Sequence, residues 1–247
     1  MNKTYTESFV VRATDCDIYR RMRLDALFIA MQEGGERHAL QIGAGYRDMI
    51  SRGLFFALAR IHVSTLRAPR CGETVVHTTW NGNSNRFFCP RYHVFSLEDG
   101  TPLAAAGALW VMLDLDKRSI VSPIKLDLAF PDNSDLPAPI DLPTRLPVLR
   151  GDAPQIFTRE PRYSDFDING HVNNTKYIAW LCDALGLETF DHAYIGDLVA
   201  GYEKEIRSTD PLRLTLLRQN QSFSFQAASG AGTIHFVAGG TLRREED

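Results

Sequence analysis

The sequence has no CxxC pair, and its four cysteines, Cys16, Cys71, Cys89 and Cys182, follow no regular spacing. That excludes a disulfide framework and leaves free thiols, as expected of a reducing compartment. Long apolar stretches are also missing. The longest, Leu103 to Leu113, falls well short of the roughly 20 residues that a bilayer-spanning helix needs. The opening MNKTYTESFVV has neither a hydrophobic signal region nor an Arg/Ser-rich transit character, so the expected location is the cytoplasm, provided that no leader precedes it. No HExxH occurs. His38, His62, His77, His93, His192 and His235 show no ligand spacing, so surface or packing roles are expected for each and no metal. The absence of G-x-S-x-G argues against an α/β-hydrolase, and the absence of G-x-G-x-x-G and Walker patterns argues against nucleotide binding. A net charge of −3 speaks against general nucleic-acid binding, local basic patches aside.

What is present is an ordinary globular composition, 44% hydrophobic and 23% charged over 247 residues. Such a chain can bury about 70–75% of its unfolded surface, enough for one large domain or two small ones. Half of the 12 prolines fall in one stretch, at 131, 137, 139, 143, 147 and 154. Proline fixes φ and removes a donor, so residues 131–154 read as an extended linker between domains at 1–130 and 155–247.

The two parts resemble one another. RATDCDIYRRMRLDALFIAMQE from Arg12 aligns with RYSDFDINGHVNNTKYIAWLCD from Arg162 at a constant offset of 150. Arg12, Asp15, Asp17 and Ile18 meet Arg162, Asp165, Asp167 and Ile168, and the hydrophobic phase continues with Phe28 facing Ile178 and Met31 facing Leu181. This favours a duplication. Each part predicts a short strand, an Asp-x-Asp turn, one helix (about Leu24 to Leu40, and Asn174 to Leu185) and an antiparallel meander. The second helix has one apolar face, with Gly186 just beyond its end. Strands are predicted over Val75–Trp80, Phe87–Leu97 with an Asp99-Gly100 hairpin, Leu212–Leu217, Phe223–Ala227 and Ile234–Ala238. The plan is α+β, with a sheet curled around a lone helix.

The chemistry-bearing stretch is DFDINGHVNNTKYIAW, residues 165–180. In an extended segment, alternate side chains share a face, which would aim Asp167, Asn169 and His171 into one site. The following helix offers unpaired N–H groups and a positive dipole end, suited to an oxyanion. A base, an amide and an oxyanion donor point to acyl transfer or hydrolysis. The competing reading is a turn with helix capping, with Asn173 or Asn174 as the cap.

The segment closely resembles the acyl-ACP thioesterases of bacteria and plant plastids, whose second repeat carries Asp-x-Asn-x-His-Val-Asn-Asn followed by Tyr and Trp. Here these are Asp167, Asn169, His171, Val172, Asn173, Asn174, Tyr177 and Trp180. The resemblance implies a double (tandem) hotdog fold and hydrolysis of fatty acyl-[acyl carrier protein], without a cofactor. It implies catalytic roles for Asp167, Asn169, His171 and Glu205, with substrate or oxyanion contacts at Val172, Asn173 and Asn174. Glu205 matches the family's acidic residue on the strand after the helix. Ile206 stands where many plant members have cysteine, which favours a water-based mechanism. Cys182 is expected to be a small buried residue of the helix.

The implied partner is acyl carrier protein, which is acidic, with Lys176 and Arg207 as docking candidates and Arg20, Arg21 and Arg23 as another cluster. A monomer or homodimer is compatible with the sequence. An acyl-CoA thioesterase, a hotdog dehydratase using Asp183 as its acid, and a non-catalytic acyl-binding protein stay open as alternatives. The 150-residue offset puts Tyr19 and Arg21 opposite Asn169 and His171, and an offset of 140 after the helix puts Leu66 opposite Ile206 and Thr65 opposite Glu205. The first repeat therefore lacks the amide, the imidazole and the acid, and one active site per chain is expected.

Overall fold

The computed structural model describes residues 2–126, 128, 130–148, 151 and 153–245. The chain divides into two compact units between Pro143 and Thr144, inside the proline-rich stretch. The first contains strands β1 (Tyr5–Val10), β2 (Leu54–Thr65), β3 (Thr74–Asn81), β4 (Phe88–Leu97) and β5 (Pro102–Asp114), with helices α1 (Leu24–Gln41) and α2 (Tyr46–Ser51). The second contains β6 (Gln155–Arg159), helix α3 (Asn174–Leu185), β7 (Ala193–Tyr202), β8 (Leu212–Gln219), β9 (Ser222–Ser229) and β10 (Ile234–Arg244). Within the first unit the strands lie in the order β1-β3-β4-β5-β2, and within the second β6-β8-β9-β10-β7. These are the same topology, with every pairing antiparallel.

Both helices begin where the sequence predicts, and the hairpin at Asp99-Gly100 forms, with Gly100 at φ 87°. The short helix α2 was not foreseen, and the strand after the second helix was expected without bounds. The short helix α2 follows Gly43 and Gly45. Strand β7 carries Gly196 and Gly201, which interrupt the side-chain alternation that marks a strand. Among the described residues no helix is long and apolar enough to cross a membrane.

The stretch at 131–148 is without helix or strand and lies as a strap on its own units. Leu142 and Ile140 cover Gly107 of β5, where an added Cβ would come within 3.1 Å of Leu142. Leu146 covers Gly201 of β7, and Pro147 covers Gly239 of β10. Asn133 anchors the start of the strap, its Nδ2 donating to the carbonyls of Asn81 (2.8 Å) and Lys3 (3.0 Å).

The two helices meet their sheets through different chemistry. In the second unit, α3 buries Tyr177, Ile178, Trp180, Leu181, Ala184 and Leu185. Tyr177 packs on Phe236 of β10 at 5.1 Å and edge-on to Tyr202 of β7 at 5.6 Å. In the first unit, α1 carries Gly34 and Gly35 in mid-helix, at a propensity cost of about 1 kcal/mol each. Their missing side chains admit His77 and Arg91, and a Cβ on Gly34 would stand 2.5 Å from the His77 ring.

Buried Arg91 donates to His38 Nδ1 (3.2 Å), Thr79 Oγ1 (3.2 Å) and Asn81 Oδ1 (2.9 Å). Buried His77 shares a hydrogen bond with His93 (3.0 Å) and stacks on Phe95 at 4.4 Å. Glu7, which is paired with Arg37, stands 3.5 Å from His77 Nδ1, too far for a good hydrogen bond.

Burial holds all three of these imidazoles below their usual range, His77 down to about 4. A neutral His77 is a condition of the fold. The unfolded chain takes up a proton near pH 6.5 and the folded chain only near 4, so stability present above 6.5 is lost as pH falls toward 4. By pH 5 this one residue should cost about 2 kcal/mol. Urea midpoints at pH 7 and pH 5 test this. His77→Gln should be less stable at pH 7 but show a flatter pH dependence, and an unchanged slope would remove His77 as the sensor.

Candidate active site

The loop from β6 to α3 opens with a single 3-10 turn, Tyr163–Asp165. The Asp165 carboxylate accepts the Arg162 amide (2.8 Å) and Arg159 Nη2 (3.3 Å). Phe166 and Val172 then face each other as an antiparallel bridge, with Asp167 N–H donating to the His171 carbonyl at 2.8 Å. Between them the chain reverses. Gly170 N–H donates to Asp167 O (3.0 Å), and Gly170 sits at φ 71°, where a Cβ would be strained. Asp167 Oδ1 accepts the amides of Asn169 (2.8 Å) and His171 (3.2 Å).

The segment is therefore a turn and not an extended strand, so the period-two argument for a shared face does not hold. Asp167 is aimed at backbone amides within its own loop. Asn169 is exposed and enters this network through its backbone amide.

The helix start follows directly. Asn173 caps α3, its Oδ1 accepting from Thr175 N (3.0 Å) and Thr175 Oγ1 (2.8 Å). Two of the three amides expected to meet an oxyanion are already engaged: Val172 N–H donates to Ile206 O (2.9 Å) and Asn173 N–H to Asp165 O (2.9 Å). Asn174 opens the helix, where an N–H has no i−4 partner. Its carbonyl accepts the Tyr202 hydroxyl at 3.0 Å. Lys176 is half-buried, one turn into the helix.

Glu205 does not lie on a strand. β7 ends at Tyr202, and Glu205 belongs to the irregular segment before β8. One backbone bond holds that segment to the loop, from Val172 N–H to Ile206 O at 2.9 Å. Burial keeps the Tyr177 phenol neutral, well above its usual range. Ile206 itself is buried at 3% exposure.

The outcome is a contact between His171 Nε2 and Glu205 Oε2 at 3.3 Å, with the imidazole 13% and the carboxylate 36% exposed. The same Oε2 receives Arg207 Nη2 (2.7 Å) and Nε (3.2 Å). Arg207, named from sequence only as a docking candidate, thus stands beside the acid. Tyr202, whose hydroxyl donates to the first carbonyl of α3, carries no spacing signal that assigns that role in advance. Cys182 is half-buried, against the expectation of burial. Asp183, whose carboxyl is raised by burial despite the opposing effect of nearby Arg159, stands on α3 nearly three turns beyond the cap. Among the described residues no group of three or more His, Cys, Asp or Glu could hold a metal ion.

The first unit builds the same loop at the 150-residue offset. Asp17 Oδ1 accepts the amides of Tyr19 and Arg21, each at 2.9 Å, and Arg20 takes the left-handed place of Gly170 at φ 63°. Met22 N–H donates to Pro69 O (2.7 Å), the counterpart of Val172 to Ile206. That bond fixes the later offset at 137 and not 140, so Glu205 corresponds to Ala68 rather than Thr65. Arg21, in the place of His171, is 2% exposed and paired with Asp17 at 3.2 Å. It is a buried structural cation.

Two repeats of one helix against a five-stranded antiparallel sheet, with the same strand order, define a tandem hotdog protein of the α+β class. The chain belongs to the acyl-ACP thioesterases: the family model of the N-terminal domain matches residues 2–128 and that of the C-terminal domain residues 151–234. An acyl-[acyl-carrier-protein] hydrolase of Cuphea viscosissima is 27% identical over 216 residues, covering 83% of this chain and 52% of that protein. The oleoyl-acyl carrier protein thioesterase 1 of Arabidopsis thaliana is 26% identical over 230 residues, covering 84% and 62%. The chain thus spans about half to three-fifths of the length of these relatives. Among solved structures, a 12:0-ACP thioesterase from Umbellularia californica matches with a TM-score of 0.83 at 25% identity, covering 99% of both chains. An acyl-ACP thioesterase from Bacteroides thetaiotaomicron gives 0.87 at 23%, covering 98% of both, and bears on the fold.

The carboxylate under each turn sets a stability test. Asp167→Ala leaves two amides without their acceptor and should cost about 1–2 kcal/mol, lowering Tm by roughly 2–4 °C. Asp167→Asn keeps an oxygen acceptor and should lose less. Thermal unfolding of the pair, with Asp17→Ala and Asp17→Asn alongside, checks this, and equal losses for Ala and Asn would show that the acceptor is not what holds the loop.

Proposed function

We propose that this chain hydrolyses the thioester joining a fatty acyl chain to acyl carrier protein, releasing free fatty acid. In this reading the second unit performs the chemistry and the first shapes the acyl pocket. The observation that carries it is the His171–Glu205 contact beside the start of α3, in a chain of this family.

The pair takes a proton from a water molecule, and the resulting hydroxide adds to the thioester carbonyl. Negative charge develops on the carbonyl oxygen and is met by the positive end of α3, with the Asn174 amide as the proposed donor. The C–S bond then breaks, and the carrier thiol leaves with the proton that the pair held. No metal or organic cofactor is required, because a thiolate is already a good leaving group. Ile206 offers no nucleophile, so no acyl-enzyme forms there. Asn169 orients the water or the carbonyl, and Asp167 preserves the turn that presents His171. Lys176 is the proposed contact for the acidic carrier.

His171→Ala and Glu205→Gln should each lose activity on the order of 10²–10⁴-fold while remaining folded. The assay is release of free fatty acid from a panel of acyl carrier protein thioesters, with matched acyl-CoA to separate the two carriers. Near-wild-type turnover in both variants would sink the assignment. Because the first unit carries Arg21 and Ala68 at the corresponding positions, titration with a tight-binding inhibitor should give one equivalent per chain. Two equivalents would show that the first repeat also reacts.

A further inference from the structure

Glu205 sits on a stretch with no ladder to fix its direction, and its carboxylate is 36% exposed. Water reaches a carboxylate so placed, and the 3.3 Å contact to one imidazole nitrogen is long for a charge-assisted bond. Two residues on, Arg207 places both Nη2 and Nε on Glu205 Oε2, the oxygen that faces His171. The fork geometry of guanidinium can clamp a carboxylate oxygen from two nitrogens at once, which a lysine ammonium cannot reproduce. Between the two, Ile206 is buried and its carbonyl accepts the Val172 N–H at 2.9 Å, so the positions of Glu205 and Arg207 are set from a fixed point.

The first unit offers an internal comparison. Arg70, the counterpart of Arg207 at the 137-residue offset, stands beside Ala68, and its backbone N–H donates to Glu73 at 2.7 Å. There the position of Glu205 is taken by Ala68, which has no carboxylate.

We propose that Arg207 is a positioning residue for the reaction, holding the Glu205 carboxylate with Oε2 toward His171. It does so without touching the thioester, and it is not primarily a carrier-docking residue. This inference rests on the roles proposed above for His171 and Glu205. An exposed ion pair contributes little to stability, so variants at Arg207 should fold.

The experiment compares Arg207→Gln, Arg207→Lys, Arg207→Ala and Glu205→Gln on two substrates of the same acyl chain: the acyl carrier protein thioester and the small thioester of N-acetylcysteamine, which has no protein to dock. Arg207→Gln should lower kcat roughly ten- to hundredfold on both substrates, with KM little changed. Arg207→Lys should recover part of this. Millimolar guanidinium chloride, against sodium chloride at equal ionic strength, should partly restore Arg207→Ala, a response that a purely structural role would not give. A rise in KM confined to the carrier-borne substrate, with kcat intact, would overturn the proposal in favour of docking. Unchanged kinetics in the Arg207 variants alongside an inactive Glu205→Gln would overturn the positioning role alone. An active Glu205→Gln would instead remove the reading of the site on which it rests.

Discussion

The arrangement depends on one carboxylate folded beneath its own turn. Asp167 accepts two amides of the loop that follows it, those of Asn169 and His171. These bonds compensate N–H groups that the reversed chain could not pair in a ladder. They fix the backbone of His171 and deliver the chain to Asn173 in the extended geometry that a cap requires. From there Asn173 starts α3, and Val172 reaches across to Ile206, which draws in the segment carrying Glu205. The imidazole and the carboxylate meet because two pieces of backbone are each held before their side chains come together.

The first unit keeps this scaffold and changes its chemistry. Asp17 holds its turn with the same pair of amide bonds, but the side chain that emerges is Arg21, and the reaching segment presents Ala68. An arginine keeps its proton far above neutral pH and cannot serve as a base. Buried and paired with Asp17, it adds to the turn's own hydrogen bonding. Retention of the aspartates in both repeats is thus explained by backbone geometry, and the divergence lies only in the groups that geometry presents.

The helices show a second divergence on a common plan. α3 meets its sheet through Tyr177, Tyr202 and Phe236, an apolar contact in which the Tyr202 hydroxyl turns to the Asn174 carbonyl. α1 meets its sheet across two glycines that make room for Arg91, His77 and His93. The guanidinium is tolerable out of water there because its partners are in place, and the imidazoles because they stay neutral.

Much was legible in the sequence. The 150-residue offset, the two helix starts and most strands of the meanders, β7 excepted, follow from periodicity and turn chemistry, which are local. The Asp-x-Asn-x-His motif marked the region of the site. Tertiary structure decided the rest. Spacing suggested that Asp167, Asn169 and His171 share a face, yet Gly170 reverses the chain and sends the carboxylate inward. A 140-residue offset places Thr65 opposite Glu205. The hydrogen bond from Met22 to Pro69 makes it Ala68, because register in an irregular segment is set by pairing and leaves no periodic trace. Arg207 read as a surface charge until folding brought its guanidinium to Glu205. The sequence determined which residues each turn could present; only the packing of a segment some 30 residues further along the chain determined which acid the histidine would meet, since a contact between two loops is a property of the surfaces that hold them and of neither loop alone.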